Sequence, residues 1–234
     1  MEVVSISALK SIWEGFDFRY LMSILLAVVP SVLCITLHEL SHGYTAYFLG
    51  DDTAKRSGRL TLNPLKHLDP VGLLMLAVFH VGWAKPVPVN MFRFKNPKRG
   101  MAITALAGPV SNLAIAVVFM FLYGLFYIPL RDSAAGSYFL TMLQLTVYIS
   151  LGLAIFNFIP IPPLDGSKVL FSLMSDESYI KLMRYEKYGS LLMLALVASG
   201  ILGKPLTALI DGAFDLMLPV AQAGCDIVFY LFYK

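Results

Sequence analysis

The sequence predicts an all-α polytopic membrane protein, with about five transmembrane helices and a re-entrant or short β element between the first and the second. The chain has 234 residues, of which 58% are hydrophobic and 14% are charged. Soluble domains have about a quarter of their residues charged, so this composition is typical of a protein that lies in lipid. Several apolar runs also reach about 20 residues, the length at which an α-helix crosses a hydrocarbon core of about 30 Å.

Each predicted helix is an apolar run bounded by polar residues, glycine or proline. The predicted spans are, in chain order, residues 20–49, 101–128, 138–159, 188–202 and 206–233. Residues 1–19 have apolar side chains at helical spacing and are predicted to form an N-terminal segment in the membrane interface. Residues 20–170 are expected to form the membrane core, and residues 171–234 a C-terminal transmembrane hairpin.

The region between the first two predicted spans contains an apolar run that is too short to cross a bilayer. This run, residues 71–83, is followed by Pro86 and Pro88, which do not fit a continuous helix. A re-entrant element here requires a covering of protein or a wet cavity, because irregular backbone is not stable in lipid. Two short alternating segments, residues 59–62 and 87–90, are expected to offer an edge to which an unwound peptide can pair.

Basic residues give the predicted orientation. Of the 18 lysines and arginines, 9 lie between Lys55 and Arg99 and four more between Lys168 and Lys187. Cytoplasmic loops are enriched in these residues, so both connections are predicted to face the cytoplasm, in a multi-pass protein of the cell membrane. The net charge is only +3 and the basic residues sit beside membrane segments, so no nucleic-acid partner is expected.

The first predicted span contains His38, Glu39 and His42 in the pattern HExxH. Residues four apart lie on one face of a helix, so both imidazoles can bind one ion, while Glu39 points about 100° away toward a metal-bound water. The alternative is a pair of core histidines that hydrogen-bond between helices, with Glu39 as an interhelical partner. Ionisable groups are costly inside a membrane and mark function there by default, which favours a zinc site with Glu39 as general base.

A catalytic zinc ion needs a third protein ligand and leaves its fourth position to water. Asp165 follows a proline-rich segment just after the third predicted span, although an Asp-Gly pair after prolines is also a common turn. The predicted orientation places the His38 end of the first span and Asp165 toward the same leaflet. This convergence favours Asp165 as the third ligand of one Zn²⁺ per chain.

Three segments carry a resemblance to a known family, namely HELSH at 38–42, GPVSN at 108–112 and NFIPIPPLDG at 157–166. With these segments the chain resembles the site-2 protease family of intramembrane zinc metalloproteases, peptidase family M50, over most of residues 20–170. Within that family it is similar to the small microbial branch that has no PDZ or CBS domain. Met91 departs from the pattern, since proline is expected after the PVPVN run.

This resemblance implies a metalloendopeptidase that cleaves single-pass membrane proteins within or near the bilayer. It implies His38, His42 and Asp165 as zinc ligands and Glu39 as the base. Asn157 is the first candidate to stabilise the oxyanion or to hold substrate, and Asn112 is the second. For both asparagines the alternative is a hydrogen bond between helices, which is common in membranes.

The expected partners are a membrane protein substrate and the lipid bilayer. The rival interpretation is a zinc-binding transporter, or a catalytically inactive membrane chaperone with the same skeleton. Transporters often have broken helices in two repeated halves. This chain has one HExxH and one Leu-Asp-Gly in unlike segments, which favours hydrolysis.

Overall fold

The structure is a computed structural model that describes residues 18–70, 72 and 84–232. The chain there is mostly helical, and two short 3-10 turns, Pro64–Lys66 and Met91–Arg93, lie in the connection after the first long helix. The α-helices of this part are α1 (Phe18–Phe48), α2 (Thr53–Arg56), α3 (Pro97–Leu130), α4 (Ala134–Phe158), α5 (Asp165–Ser172), α6 (Asp176–Ala198) and α7 (Gly203–Phe232). The predicted interfacial segment falls, up to residue 17, outside the described residues.

Four of these helices are long and apolar enough to cross a membrane. The candidate spans are Ile24–Phe48 in α1, Pro97–Leu130, Ala134–Phe158 and Gly203–Phe232. The chain is thus a multi-pass membrane protein by the length and composition of its helices, and the predicted bounds differ from the observed ones by four residues or fewer. The prediction of about five spans is not confirmed. Residues 188–198 form the second half of α6, and the first half of that helix is charged, so α6 is not among the candidate spans of the described residues.

The predicted β element is not confirmed either. No β-strand occurs in the described residues, and the backbone pairing there is a single bridge between Leu68 and Ala84. Residues 87–90 are not part of a strand; Pro88 has no N–H, and the backbone N–H groups of Val87 and Asn90 donate to the carboxylates of Glu39 and Asp51. Apart from Gly72, the predicted re-entrant run of residues 71–83 lies outside the part of the chain that the structure describes.

Helix α3 is the centre of the bundle, since it packs against α1, α4, α5 and α7. The core around α3 is apolar and includes small residues. In lipid there is no hydrophobic force that drives helices together, and small residues let them approach closely enough to pack. The buried residues of this cluster are Ala116, Met120, Val147, Leu151 and Ala221. Side-chain caps begin two of the spans: Asn96 accepts from the N–H of Arg99, and Ser133 accepts from that of Gly136.

Asp51 fixes the extended segment of residues 85–90 to the end of α1. Its carboxylate is fully buried and accepts hydrogen bonds from the backbone N–H of Asn90 at 2.6 Å and of Thr53 at 3.0 Å. At the other end of the segment, the guanidinium of Arg59 donates to the carbonyl of Lys85 at 2.6 Å. The segment is therefore held at both ends, and its middle lies beside the histidine face of α1.

Candidate metal centre

His38 and His42 lie one turn apart on the buried face of α1. Their rings meet edge to face, with centroids 4.6 Å apart and an interplanar angle of 89°. The two Nε2 atoms are 3.0 Å apart. The HExxH spacing thus places two imidazole nitrogens at one point, as the sequence predicts.

Asp165 reaches this point from the first residue of α5, after the turn that follows α4. The turn is tight, and Gly166 lies against the carbonyls that end α4. A Cβ at Gly166 would lie 2.6 Å from the carbonyl carbon of Phe158 and 2.8 Å from the oxygen of Ile159, so a larger residue cannot fit. The glycine of the Leu-Asp-Gly segment therefore lets α5 begin close enough for Asp165 to meet the histidines.

Three ligand atoms converge from these two parts of the chain. Asp165 Oδ2 lies 3.2 Å from Nε2 of His38 and 3.1 Å from Nε2 of His42. A tetrahedral zinc ion with bonds of about 2.0–2.1 Å holds its ligand atoms about 3.3 Å apart. The triangle of two imidazoles and one carboxylate therefore fits a catalytic zinc site, in both donor chemistry and size.

The hydrogen bonding of His42 is further evidence for a cation. Its Nδ1 lies 2.7 Å from the carbonyl oxygen of Thr104 on α3, so Nδ1 carries the proton and donates it. Nε2 then presents a lone pair to the carboxylate of Asp165, and two acceptors face each other in a buried site. A metal ion between them resolves this conflict, and the Thr104 carbonyl orients the ring as outer partners of metal ligands do.

Helix α3 closes the site from the side at Gly108. A Cβ at this position would lie 2.5 Å from Cε1 of His38 and 2.5 Å from both Cε1 and Nε2 of His42. The absence of a side chain lets α3 lie directly against both rings. The glycine of the Gly-Pro-Val-Ser-Asn segment is thus a packing requirement of the metal centre.

Glu39 lies beside the metal triangle and outside it. Its Oε2 accepts a hydrogen bond of 2.8 Å from the backbone N–H of Val87, in the middle of the extended segment. Of the three residues from Pro86 to Pro88, Val87 is the one with an N–H to donate. The second carboxylate oxygen of Glu39 remains to act on a water molecule.

A cavity of about 400 Å³ contains the three converging ligands and Glu39. Asn157, the second-last residue of α4, also lines it. The Asn157 amide donates one hydrogen bond of 2.9 Å to the carbonyl of Leu153, which leaves its second N–H for another acceptor. Lys168 completes the polar wall, with Nζ 3.7 Å from Asp165 Oδ1, the oxygen that faces away from the histidines.

Asn112 does not join this group. It is fully buried one turn beyond Gly108 and is absent from the lining of the cavity. Neither of its amide atoms has a hydrogen-bond partner among the described residues, so the helix–helix hydrogen bond is not observed there either. The predicted role of Asn112 in substrate binding stays a prediction, without support from the geometry of the cavity.

Asp165 is charged in this environment. Burial alone would raise the pKa of its carboxyl group, but the close approach of the His38 and His42 imidazoles and the positive charge of Lys168 hold that pKa well below its ordinary value. The carboxylate is thus available as an anionic ligand at any physiological pH.

Three contributions to the site are missing from the sequence predictions. Thr104 and Val87 act through backbone atoms, which every residue type has, so only the alternation of prolines around Val87 gives a signal. Lys168 acts through its side chain, and its position one helical turn after Asp165 is visible in the sequence.

Comparison with known proteins places this geometry in a family. The family model of peptidase family M50 matches residues 24–200, which include both histidines, Glu39 and Asp165. The chain is 37% identical over 211 residues to YwhC of Bacillus subtilis, a protein named as a candidate zinc metalloprotease, covering 88% of this chain and 90% of YwhC.

Two further relatives carry the same kind of name. Rip2 of Mycolicibacterium smegmatis is 30% identical over 202 residues, which cover 84% of this chain and 75% of that protein. A candidate zinc metalloprotease of Methanocaldococcus jannaschii is 36% identical over 161 residues, which cover 67% and 76%. No solved structure matches the chain with significance. From the family match and the extent of these similarities, this chain belongs to peptidase family M50.

Proposed function

We propose that this protein is an intramembrane zinc metalloendopeptidase that cleaves membrane-embedded, single-pass proteins. The observation that carries the proposal is the meeting of His38, His42 and Asp165 within 3.2 Å of one another, with Glu39 in the same cavity. The relatives named as zinc metalloproteases support zinc as the resident ion. When bound, zinc supplies a Lewis acid and makes water a nucleophile near neutral pH.

The protein's own groups supply the remaining chemistry. Glu39 takes a proton from water as general base and later returns it to the leaving amine. The Val87 N–H holds one carboxylate oxygen of Glu39, so the other keeps a fixed direction toward the cavity. Asn157 donates its free amide N–H to the carbonyl oxygen of the substrate as negative charge develops there.

The depth of the site supports cleavage inside the bilayer. His38 lies about 15 Å from the C-terminal end of α1, and Thr104 about 10 Å from the start of α3, at a rise of 1.5 Å per residue. A hydrocarbon core is about 30 Å thick, and these distances from the helix ends support a site within it. A substrate helix must unwind locally to present a peptide bond there.

The orientation that we propose places the cavity toward the cytoplasm, in a protein of the cell membrane. The 9 basic residues between Lys55 and Arg99 are the main support, because this connection joins the ends of α1 and α3 nearest to the site. Residues 20–170 would then form the protease core, and residues 171–234 a C-terminal unit with α7 as its membrane span.

Replacement of Glu39 by glutamine tests the function. The purified protein and the Glu39→Gln variant would be placed in liposomes with fluorescent remnant signal peptides as single-pass substrates, and zinc would be measured by mass spectrometry. We expect the variant to keep its zinc and to lose cleavage by roughly 100-fold or more, since a general base contributes about that much.

The matched control is Glu177→Gln, which makes the same change at an exposed position in the first turn of α6. It should cleave at the rate of the unaltered protein. Undiminished cleavage by Glu39→Gln would end the proposal. Bound zinc with no cleavage of any single-pass peptide by the unaltered protein would favour the transporter or chaperone instead.

A further inference from the structure

Another cavity beside α3 is larger than that of the metal centre. It is a groove of about 1210 Å³ that starts at the first turn of α3 and has Leu173 on its opposite side. Ala102, Ile103 and Leu106 continue it along α3, so the groove runs for about 14 Å beside a membrane-spanning helix. Its walls are therefore apolar along α3 and polar near the start of that helix.

A second groove lies on the other side of the same turn. It has a volume of about 400 Å³ and apolar walls from Phe48, Leu49 and Phe94. Four residues of the first groove also line the second, namely Lys95, Asn96, Arg99 and Ile103. The start of α3 is thus a ridge with a polar top and an apolar groove on each flank.

The ridge has a net positive charge. Lys98 is neutralised, because its Nζ lies 3.0 Å from the carboxylate of Asp176 and also donates to the carbonyl of Met174. The side chains of Lys95 and Arg99 are exposed and make no hydrogen bond or ion pair within the described part of the chain. Lys95 and Arg99 are therefore two cations without a counter-charge, and both lie on the ridge between the two grooves.

Large apolar side chains surround this cationic pair. Phe92 is 84% exposed and Leu173 is 81% exposed, and both line the first groove. Side chains of this kind at the end of a membrane-spanning helix lie at the level of the lipid headgroups, where cations extend toward the water. The surroundings of Lys95 and Arg99 are thus a membrane interface.

We propose that the ridge binds one anionic diacyl phospholipid. Its phosphate lies between Lys95 and Arg99, and its two acyl chains lie in the two grooves on either side of α3. A branched molecule with one negative head and two apolar chains matches this arrangement, and basic pockets between membrane helices recognise such headgroups. A zwitterionic lipid or a single substrate helix would match only part of it.

Lipid binding can be measured directly. The full-length protein would be prepared in nanodiscs that contain phosphatidylglycerol and phosphatidylcholine, and the lipids retained after transfer to detergent would be counted by native mass spectrometry. We expect one retained phosphatidylglycerol per chain. The Lys95→Gln/Arg99→Gln variant should bind it about thirty-fold more weakly, or roughly five-fold for each charge removed.

Two further variants separate a built site from general attraction to an acidic membrane. The control Lys66→Gln/Lys181→Gln removes two exposed charges outside both grooves and should retain the lipid fully. Ile103→Trp leaves the charge unchanged but fills the wall that both grooves share, and it should also lose the lipid.

Three results would overturn the proposal. The first is an equal loss of lipid in the control and in Lys95→Gln/Arg99→Gln, which would indicate general electrostatic attraction. The second is equal retention of phosphatidylcholine. The third is an Ile103→Trp variant that keeps the lipid and loses only cleavage, because a substrate helix would then be the occupant. Each variant would first be checked for an unchanged elution volume and thermal stability.

Discussion

The backbone N–H of Val87 donates a hydrogen bond of 2.8 Å to Oε2 of Glu39, the acid in the HExxH pattern. The two residues belong to different parts of the chain, since Glu39 is on α1 and Val87 is in the extended segment tied down by Asp51 and Arg59. The extended segment therefore contributes to the orientation of the proposed base.

The Val87→Pro substitution tests this contribution. It removes the N–H and extends an existing proline run, so the change to the backbone is small. A hydrogen bond to a charged group contributes about 1.5–3 kcal/mol, so we expect turnover to fall by about ten-fold or more while zinc content stays unchanged. Val87→Ala keeps the N–H and serves as the control. Equal losses of turnover in the two variants would contradict this role.

Gly108→Ala should weaken metal binding. The added Cβ would lie 2.5 Å from both imidazoles, so the histidines or α3 must move. Overpacking of this kind costs about 1–3 kcal/mol, which corresponds to roughly 5- to 150-fold in zinc affinity. Competition with a fluorescent chelator would measure the loss. The control is Gly212→Ala on α7, where a Cβ has nothing within 4 Å and zinc affinity should not change.

The two asparagines should behave differently when each is replaced by leucine. Asn157 lines the cavity, so Asn157→Leu should reduce kcat by about 100- to 1000-fold, as expected for the loss of an oxyanion donor. Asn112 is buried without a partner, so Asn112→Leu should leave kcat nearly unchanged and keep or raise thermal stability. Cleavage kinetics and melting curves would be measured on both. A large loss of kcat in Asn112→Leu would contradict this expectation and would indicate that Asn112 takes part in catalysis or substrate binding.

Acid should release the metal before it neutralises Asp165. The pKa of this carboxyl group lies well below its ordinary value, so the group stays ionised as the pH falls and its stabilising contacts are lost only at strongly acid pH. Protons compete with a metal ion for the lone pairs of its ligands, so falling pH weakens metal binding while Asp165 is still ionised. Zinc release and the infrared carboxyl band would be followed together, with Asp165→Asn as the control that lacks this band. Protonation of Asp165 together with zinc release would contradict this order.

The sequence predicts the membrane spans well because their signal is local. The apolar run of residues 20–49 ends one residue after α1 does, and lipid requires a continuous helix wherever such a run crosses it. The predicted span at residues 188–202 is less informative, because its helix starts at Asp176 and includes a charged first half. An apolar run alone does not show how much of a helix precedes it.

The metal ligands are also predictable, but their supports are not. HExxH fixes its spacing through helix geometry, and Asp165 follows from the order of the spans. Thr104 and Val87 contribute backbone atoms that carry no residue-specific signal, and the close contact of Gly108 with the imidazoles depends on how α3 packs against α1. Contacts of this kind depend on how the helices pack against one another, which a sequence pattern does not specify.

The metal triangle also determines when the protein can become active during its synthesis. His38 and His42 enter the membrane with α1, whereas Asp165 follows only after α3 and α4. A ribosome-bound chain with one inserted helix holds two imidazoles and no carboxylate, so it lacks a complete site for hydrolysis. In the proposed function, peptide-bond cleavage therefore requires that α1, α3, α4 and α5 have all been made and packed together.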